Sequence, residues 1–472
     1  MLTVRQILTE HFRCPDVGLE FDLPSSPGSR EGYFRFGEDT VCFARSSTFP
    51  AAPTVGGPLH DALDDVRFTS SRCALPFDPA EVVENLRRER YIRNSESNGK
   101  GQGLRQLIRT AYYGGRPFLP VAVRKHLQRA FLAGRMRTQF PKWPVDRTVD
   151  GFLERLLALS LRVRGLERIP FIWFWPGDHL SAAIMTHDVE TSSGVKFCST
   201  SMDMDEQFGI RSSFHLIPEG RYMIPDALLG EIRQRGFEIN IHDLNHDGRL
   251  YWRRDEFLRR AARINQHARR LGANGFRSGV LYRNLDWYDA LDFSYDMSVP
   301  NVGHLDPQAG GCCTVMPYFV GRILELPVTA TQDYPLFQIL REYSIEHWIR
   351  QINLILDGHG LISFIAHPDY VVEGRARATY RALLAYLARL RSEIGLWIAL
   401  PGEVNEWWRA RSQMRLVRIN GTWQVEGQGK ERARIAYACL DGDDVRFTFD
   451  AETSKQKAAV AQLTQSTLEN NV

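Results

Sequence analysis

Two histidines four residues apart, His242 and His246, directly follow an apolar run, Phe237 to Ile241, that reads as a strand. If the segment between them turns helically, both imidazoles can converge on one cation. A carboxylate would complete the set and leave one position open for water, whose pKa a divalent metal lowers. Asp188 and Glu190 offer that carboxylate at the end of a second apolar run, Ala182 to Thr186. Either could be the third ligand, and His187 beside them is a further possible one. The carboxylate left off the metal can serve as general base. Arg277, in Phe276-Arg277-Ser278-Gly279, can hold a carboxylate, and His367, in Ile365-Ala366-His367-Pro368, can protonate a leaving group. A positioned acid or base of this kind contributes roughly 10²–10⁴-fold in rate. Taken singly, each residue also has a plain structural reading: a solvated turn for Asp188 and Glu190, a satisfied strand-end histidine for His367, a salt-bridge partner for Arg277.

The elements that must position these residues read as repeated βα units from about 166 to 410. Strands are expected at Ala182–Thr186, Ser212–Ile217, Phe237–Ile241, Gly275–Arg277, Leu361–Ala366 and Gly395–Leu400. Between them lie a helix from Pro225 to a stop at Gly236 and a long Arg-rich helix, Asp255–Leu271, ending at Gly272. Asp188, His242, His246, Arg277 and His367 all fall at carboxyl ends of strands, where α/β barrels and sheets build their sites. Outside this region, residues 1–80 read as strand-rich, with a hairpin over Gly32–Phe36 and Thr40–Ala44. Residues 81–165 read as basic and mostly helical. Residues 411–472 return to strands, with Arg415–Ile419 and Thr422–Val425 around an Asn420-Gly421 turn. A second hairpin is expected over Arg434–Leu440 and Val445–Phe449, followed by a polar tail.

Composition limits the function classes. The 472 residues exceed a usual single core, so one large catalytic domain with smaller attachments is expected. Hydrophobic (43%) and charged (24%) fractions are those of a globular protein in water. No stretch reaches the roughly 18 apolar residues of a membrane span, and Met1 to Glu20 lacks the continuous apolar core of a secretory signal. Seven scattered cysteines, 14, 42, 73, 198, 312, 313 and 439, include no CxxC pair, which points to reduced thiols and a cytoplasmic location. The net charge of +3 conceals a basic stretch: Arg87 to Arg147 holds fifteen Lys or Arg and three Asp or Glu. Within it Val123, Leu127, Phe131 and Leu132 recur at helical spacing. Such a helix can pack its apolar face on the main domain or lie on an anionic membrane surface. No nucleic-acid module accompanies the charge, so no nucleic acid partner is expected.

Five ordered segments, Thr186-His187-Asp188-Val189-Glu190, His242-Asp243-Leu244-Asn245-His246, Phe276-Arg277-Ser278-Gly279, Tyr295-Asp296-Met297-Ser298 and Ile365-Ala366-His367-Pro368, resemble the motifs of the polysaccharide deacetylase (NodB-homology) family, carbohydrate esterase family four. The resemblance covers about Ser181 to Arg409. It implies an α/β fold, an incomplete distorted (β/α) barrel, here with an N-terminal α+β accessory region and a small C-terminal antiparallel β region. It also implies hydrolysis of N- or O-acetyl groups on glycans with zinc or a similar divalent ion. Residue by residue, it puts Asp188 at the catalytic base, His242 and His246 on the metal, Arg277 behind the base and His367 as the acid. Asp296 stands in a Tyr-Asp-Ser-Ser-like stretch. Tyr282, Trp287 and Tyr370, with Tyr251 and Trp252, are candidates to stack on sugar faces.

The first segment departs from the usual TFDDG: Val189 replaces the second aspartate, so that Glu190 would take the metal as in Asp-x-Asp relatives. The proline usual after Arg277 is absent, and the groove wall over Val280 to Arg283 is left undetermined. The resulting expectation is a metal-dependent deacetylase of an amino-sugar-containing glycan or glycan precursor. The substrate would be an acetylated glycan or a lipid-linked saccharide met at the inner membrane face. Hydrolysis of a cyclic amide, or a silent glycan-binding role, are the alternatives.

Overall fold

The computed structural model describes residues 4–16, 21–24, 28, 30–69, 72–92 and 138–449. The basic amphipathic helix expected around 123–135, the 98–103 loop and the tail beyond Ala451 lie outside them. At the N-terminal end, a helix (Val4–Phe12) precedes a three-stranded sheet of β1 (Phe21–Asp22), β5 (Cys73–Ala74) and β4 (Arg67–Phe68). The expected hairpin is present as β2 (Glu31–Arg35) and β3 (Val41–Arg45). Helices Pro79–Arg87 and Thr148–Val163 follow, the first capped by the Asp78 carboxylate on the Ala80 N–H at 2.9 Å.

The barrel is a single curled sheet. β7 (Ala182–Val189) is buried along its whole length, as a parallel strand covered on both faces must be. Beside it run β8 (Ser213–Leu216), β9 (Glu238–His242), β10 (Gly275–Arg277) and β11 (Tyr295–Asp296), then β13 (Ile323–Glu325), all parallel. β12 (Tyr318–Val320) closes this flank antiparallel to β13. On the other flank β14 (Leu361–Ala366) pairs with β7 from Ala182 to His187. β15 (Trp397–Ala399) pairs with the first residues of β7, Ala182 to Ile184, while β8 takes Thr186 to Val189. The two flanks are joined by the irregular Val328–Thr331 segment, where Ala330 N–H donates to the Ser363 carbonyl at 3.1 Å. A segment without a regular ladder in this position makes the barrel incomplete. Two helices lie between the strands as the periodicity predicts, Asp226–Gln234 after Pro225 and Arg254–Leu271 stopped by Gly272 at φ 63°. A third, Gly374–Ile394, ends at Gly395 (φ 69°), which caps the helix and so starts the last strand later than expected, at Trp397.

The C-terminal hairpins also form, as β16 (Arg415–Ile419) with β17 (Thr422–Glu426), and β18 (Ile435–Asp441) with β19 (Asp444–Thr448). Asn420 and Gly421 both take positive φ, as a two-residue hairpin turn of this kind requires. β18 pairs in addition with β6 (Arg168–Ile172), so the strand that enters the barrel region belongs to the sheet of the tail. One apolar core runs through Phe12, Phe34, Phe152, Phe171, Trp407 and Ala436 into the barrel floor at Ile184 and Leu361. All seven cysteines are unpaired thiols. Among the described residues no helix is long and apolar enough to cross a membrane.

Candidate active site

The side chains of β7 alternate across the sheet, and that alternation selects the site. Asp188 and, one residue past the strand, Glu190 face the barrel mouth, because residues i and i+2 share a face. The spacing Asp-x-Glu is therefore the strand's own period. His187 faces the other way: its Nε2 lies 3.0 Å from Asp205 Oδ2, and its ring stacks on Phe214 at 4.8 Å. The expectation that His187 is a further ligand is corrected on this ground. A separate carboxylate, Asp369, anchors the strand end by accepting the Glu190 N–H at 2.9 Å and the Gly194 N–H at 3.2 Å.

One ligand atom each from Glu190, His242 and His246 lies within 4.8 Å of the others. The histidines do not converge helically as expected. His242 ends β9 and the chain turns back through left-handed conformations at Asp243 (φ 58°) and His246 (φ 54°), bringing the two rings to 4.8 Å. His242 Nδ1 is 3.2 Å from the Arg277 carbonyl, which as acceptor fixes the proton on Nδ1 and leaves the Nε2 lone pair facing the site. Burial, opposed by Asp188, brings His242 down to about 4, so it is neutral. His246 Nε2 stands 3.1 Å from Glu190 Oε1 without the alignment of a hydrogen bond, and buried His242 Nε2 has no hydrogen-bond partner, the Asp188 Oδ2 lying 3.7 Å from it. Two orphaned imidazole nitrogens beside an ionised carboxylate are the donor set of a divalent cation such as zinc, and these residues fit one. Burial alone would raise the Glu190 carboxyl; His246 and then His367 outweigh it and hold it well below the usual range. Its side chain, 23% exposed, is where the cluster meets solvent.

Asp188 sits beneath this cluster. Arg277, fully buried at the end of β10, donates Nη1 to Asp188 Oδ1 at 2.7 Å and to Thr186 Oγ1 at 2.8 Å, and Nε to the Met297 carbonyl at 2.9 Å. Burial pushes the Asp188 carboxyl up, but Arg277 first, then His242 and His215, hold it far below the carboxylate range. Across the mouth, His367 follows β14. Its Nδ1 is 2.6 Å from Asp333 Oδ1, its N–H donates to Asp333 Oδ2 at 2.7 Å, and its Nε2 lies 3.8 Å from Glu190 Oε1. Burial would lower this imidazole, yet Asp333 and then Glu190 raise it to about 10, so it carries a proton that Nε2 presents to the site.

Of the aromatic candidates, Tyr370 is at the mouth, with its ring 5.1 Å from that of His367 and 5.3 Å from Tyr334. Tyr282 is buried at the end of the loop after β10. Trp287, half-buried, packs at 5.3 Å on Phe257 and at 6.1 Å on Tyr251, against the edge of an apolar core cluster. Asp296 is buried, its Oδ1 accepting the Tyr288 hydroxyl at 2.9 Å and the Ser298 N–H at 2.8 Å, and its Oδ2 accepting the Ser298 hydroxyl at 3.1 Å. Sequence reasoning passed over Asp333, Asp369, Tyr334 and His215. His215 is the register partner of Asp188 on β8, with Nδ1 3.8 Å from Asp188 Oδ1. Strand periodicity could have found His215, since it alternates with Ser213; Asp333 and Asp369 open short helical segments, too brief to carry a periodic signal.

No protein-family model matches the chain, and no curated relative matches it. Among solved structures, a protein assigned as a polysaccharide deacetylase from Mycobacterium smegmatis is 19% identical over 52% of this chain and 96% of its own, with a TM-score of 0.41. The PuuE allantoinase is 13% identical over 51% of this chain and 93% of its own, at 0.38. Peptidoglycan deacetylase PdaC from Bacillus subtilis is 8% identical over 49% and 93%, at 0.32. The five motifs stand in order along one open, curled sheet that is parallel apart from β12, so the second half of this chain is an incomplete, distorted (β/α) barrel.

Proposed function

We propose that this chain is a metal-dependent deacetylase that hydrolyses an N-acetyl or O-acetyl group on an amino-sugar-containing glycan or glycan precursor. The observation that supports it most is the Glu190–His242–His246 cluster flanked by Asp188, held at 2.7 Å by Arg277, on one side and by His367, held at 2.6 Å by Asp333, on the other. Glu190, His242 and His246 would hold the cation, which when bound polarises the acyl oxygen and acidifies a water. Asp188 takes the proton of the attacking water. Arg277 keeps that carboxylate ionised and aimed, and its own position is set by Thr186 and Met297. His367 gives its Nε2 proton to the departing amine or alcohol, while Asp333 holds the other nitrogen and the ring plane. An acid and a base on opposite sides, with pKa values pushed apart, is the arrangement that acyl-group hydrolysis needs. Tyr370 and Tyr334 lie where a sugar ring could stack beside the acid.

The test is zinc titration of the purified protein together with acetate release from acetylated chitooligosaccharides. His242→Ala with His246→Ala should lose both stoichiometric zinc and turnover. Retention of both by that double variant would overturn the reading.

A further inference from the structure

We propose that the accessory segment that carries Glu89 is a working part of the active site: Glu89 and Arg283 are positioning residues that clamp the Val280–Leu281 turn against the histidine loop. The turn follows β10 at the point where the family's proline is missing. Its conformation is costly, since Val280 (φ 61°) and Leu281 (φ 52°) are consecutive left-handed non-glycine residues and Val280 is β-branched. Strain of this kind persists only where the surroundings over-determine it. On one side, Gly279 packs so closely on the histidine loop that a Cβ there would stand 2.4 Å from Asp243 Oδ2 and 3.0 Å from His246 Cδ2.

Arg283 holds the other side. Its Nη1 donates to the Leu281 carbonyl at 2.7 Å, its Nε to Glu89 Oε2 at 2.7 Å, and its Nη2 to Glu89 Oε1. The two side chains are 0% and 5% exposed, so the pair is unscreened and its fork geometry is rigid. Glu89 is itself left-handed (φ 56°) and accepts the Gly311 N–H at 2.7 Å. A Cβ on Gly310 would meet Ile92 Cδ1 at 2.1 Å and Glu89 Oε1 at 2.6 Å, so the accessory segment is fitted to this place. The consequence for the site runs through Leu281, which forms a small apolar cluster with Val328 and Ile365. Ile365 is the register partner of Thr186, the residue that receives Arg277, and it precedes by two His367, the first residue past β14. The clamp therefore sets an apolar wall within one layer of the base and the acid.

The activity arm of the test rests on the deacetylase reading; the other arms do not. In the full-length protein, Glu89→Gln should speed amide hydrogen exchange over 278–284 about tenfold, leaving β7 unchanged. Zinc affinity should stay within about threefold of wild type, and kcat for acetate release should fall roughly tenfold with little change in KM, because misplacement costs rate rather than binding. Arg283→Lys, which keeps the charge and loses the fork, should fall between. Should Glu89→Gln fail to fold, the paired Glu89→Gln/Arg283→Met variant leaves no buried charge uncompensated and should show the same loosening. Folded variants with wild-type exchange over 278–284 would overturn the clamp. So would faster exchange there accompanied by wild-type kcat. If the wild-type protein releases no acetate at all, the deacetylase reading falls, and exchange over 278–284 alone decides the clamp.

Discussion

At the residue scale, the site divides its labour between two ionised groups that differ in what holds them. Asp188 is anionic because a buried guanidinium lies 2.7 Å from it, and His367 is cationic because a buried carboxylate lies 2.6 Å from it. Each partner is contributed by a different strand end or loop, so neither charge can be lost without leaving its partner buried and uncompensated. Asp188→Asn keeps the shape and removes the proton acceptor. It should lower kcat by about 10²–10⁴-fold while zinc still binds, because the three proposed ligands are elsewhere. Zinc titration and acetate release on the same sample check this, and loss of zinc in that variant would move Asp188 into the ligand set.

At the scale of elements, strand periodicity explains which residues meet. β7 sends Thr186, Asp188 and Glu190 to the mouth and His187 to the Asp205–Tyr380 cluster behind it. The register of β11 with β13 has another consequence: Asp296 and Glu325 are partners on neighbouring strands, both fully buried. Two carboxyls so placed cannot both ionise. Burial first, and then Asp296, pushes the Glu325 carboxyl well above the usual range, while Val299 N–H donates to its Oε1 at 2.9 Å. A carboxyl whose folded pKa is raised contributes stability that is present below its unfolded pKa of about 4.5 and is lost as pH rises through the folded value. Glu325→Gln has no such proton to lose. It should match wild type near pH 4 and gain relative stability as pH is raised, measured by urea unfolding across that range. A constant difference between the two proteins at all pH values would refute the shared-proton account.

At the scale of the whole molecule, the accessory region, the barrel floor and the tail share one core, and Arg411 ties them. Its side chain is 1% exposed and donates Nη2 to the carbonyls of His11 at 2.9 Å and Ile172 at 2.7 Å, and Nε to that of Trp173 at 2.9 Å. The guanidinium lies over Phe174 at 5.2 Å and Trp408 at 5.1 Å. Burial lowers its pKa to about 9, still high enough to keep the charge at neutral pH. Arg411→Met fills the space but removes the hydrogen bonds to four carbonyls, those of His11, Phe12, Ile172 and Trp173. It should cost on the order of 2–4 kcal/mol in urea unfolding, with the accessory region and barrel melting in one transition. Two separate transitions in the wild-type protein would show that the core does not couple them.

Much of this was legible from the chain itself. The β7, β9, β10 and β14 strands, the cap at Gly272 and both tail hairpins follow from periodicity and turn chemistry, which are local properties. So does the placing of Asp188, His242, Arg277 and His367 at strand ends, because the end of an apolar run is visible in the sequence. Tertiary structure alone decided the rest. Which way Glu190 and His187 point depends on strand phase relative to the barrel. How His242 and His246 meet depends on left-handed loop residues that no helical spacing encodes. Asp333 and Asp369 enter the site from the first turns of short helical segments, and Glu89 from nearly two hundred residues before Arg283, because long-range pairing is set by packing and leaves no periodic trace along the chain.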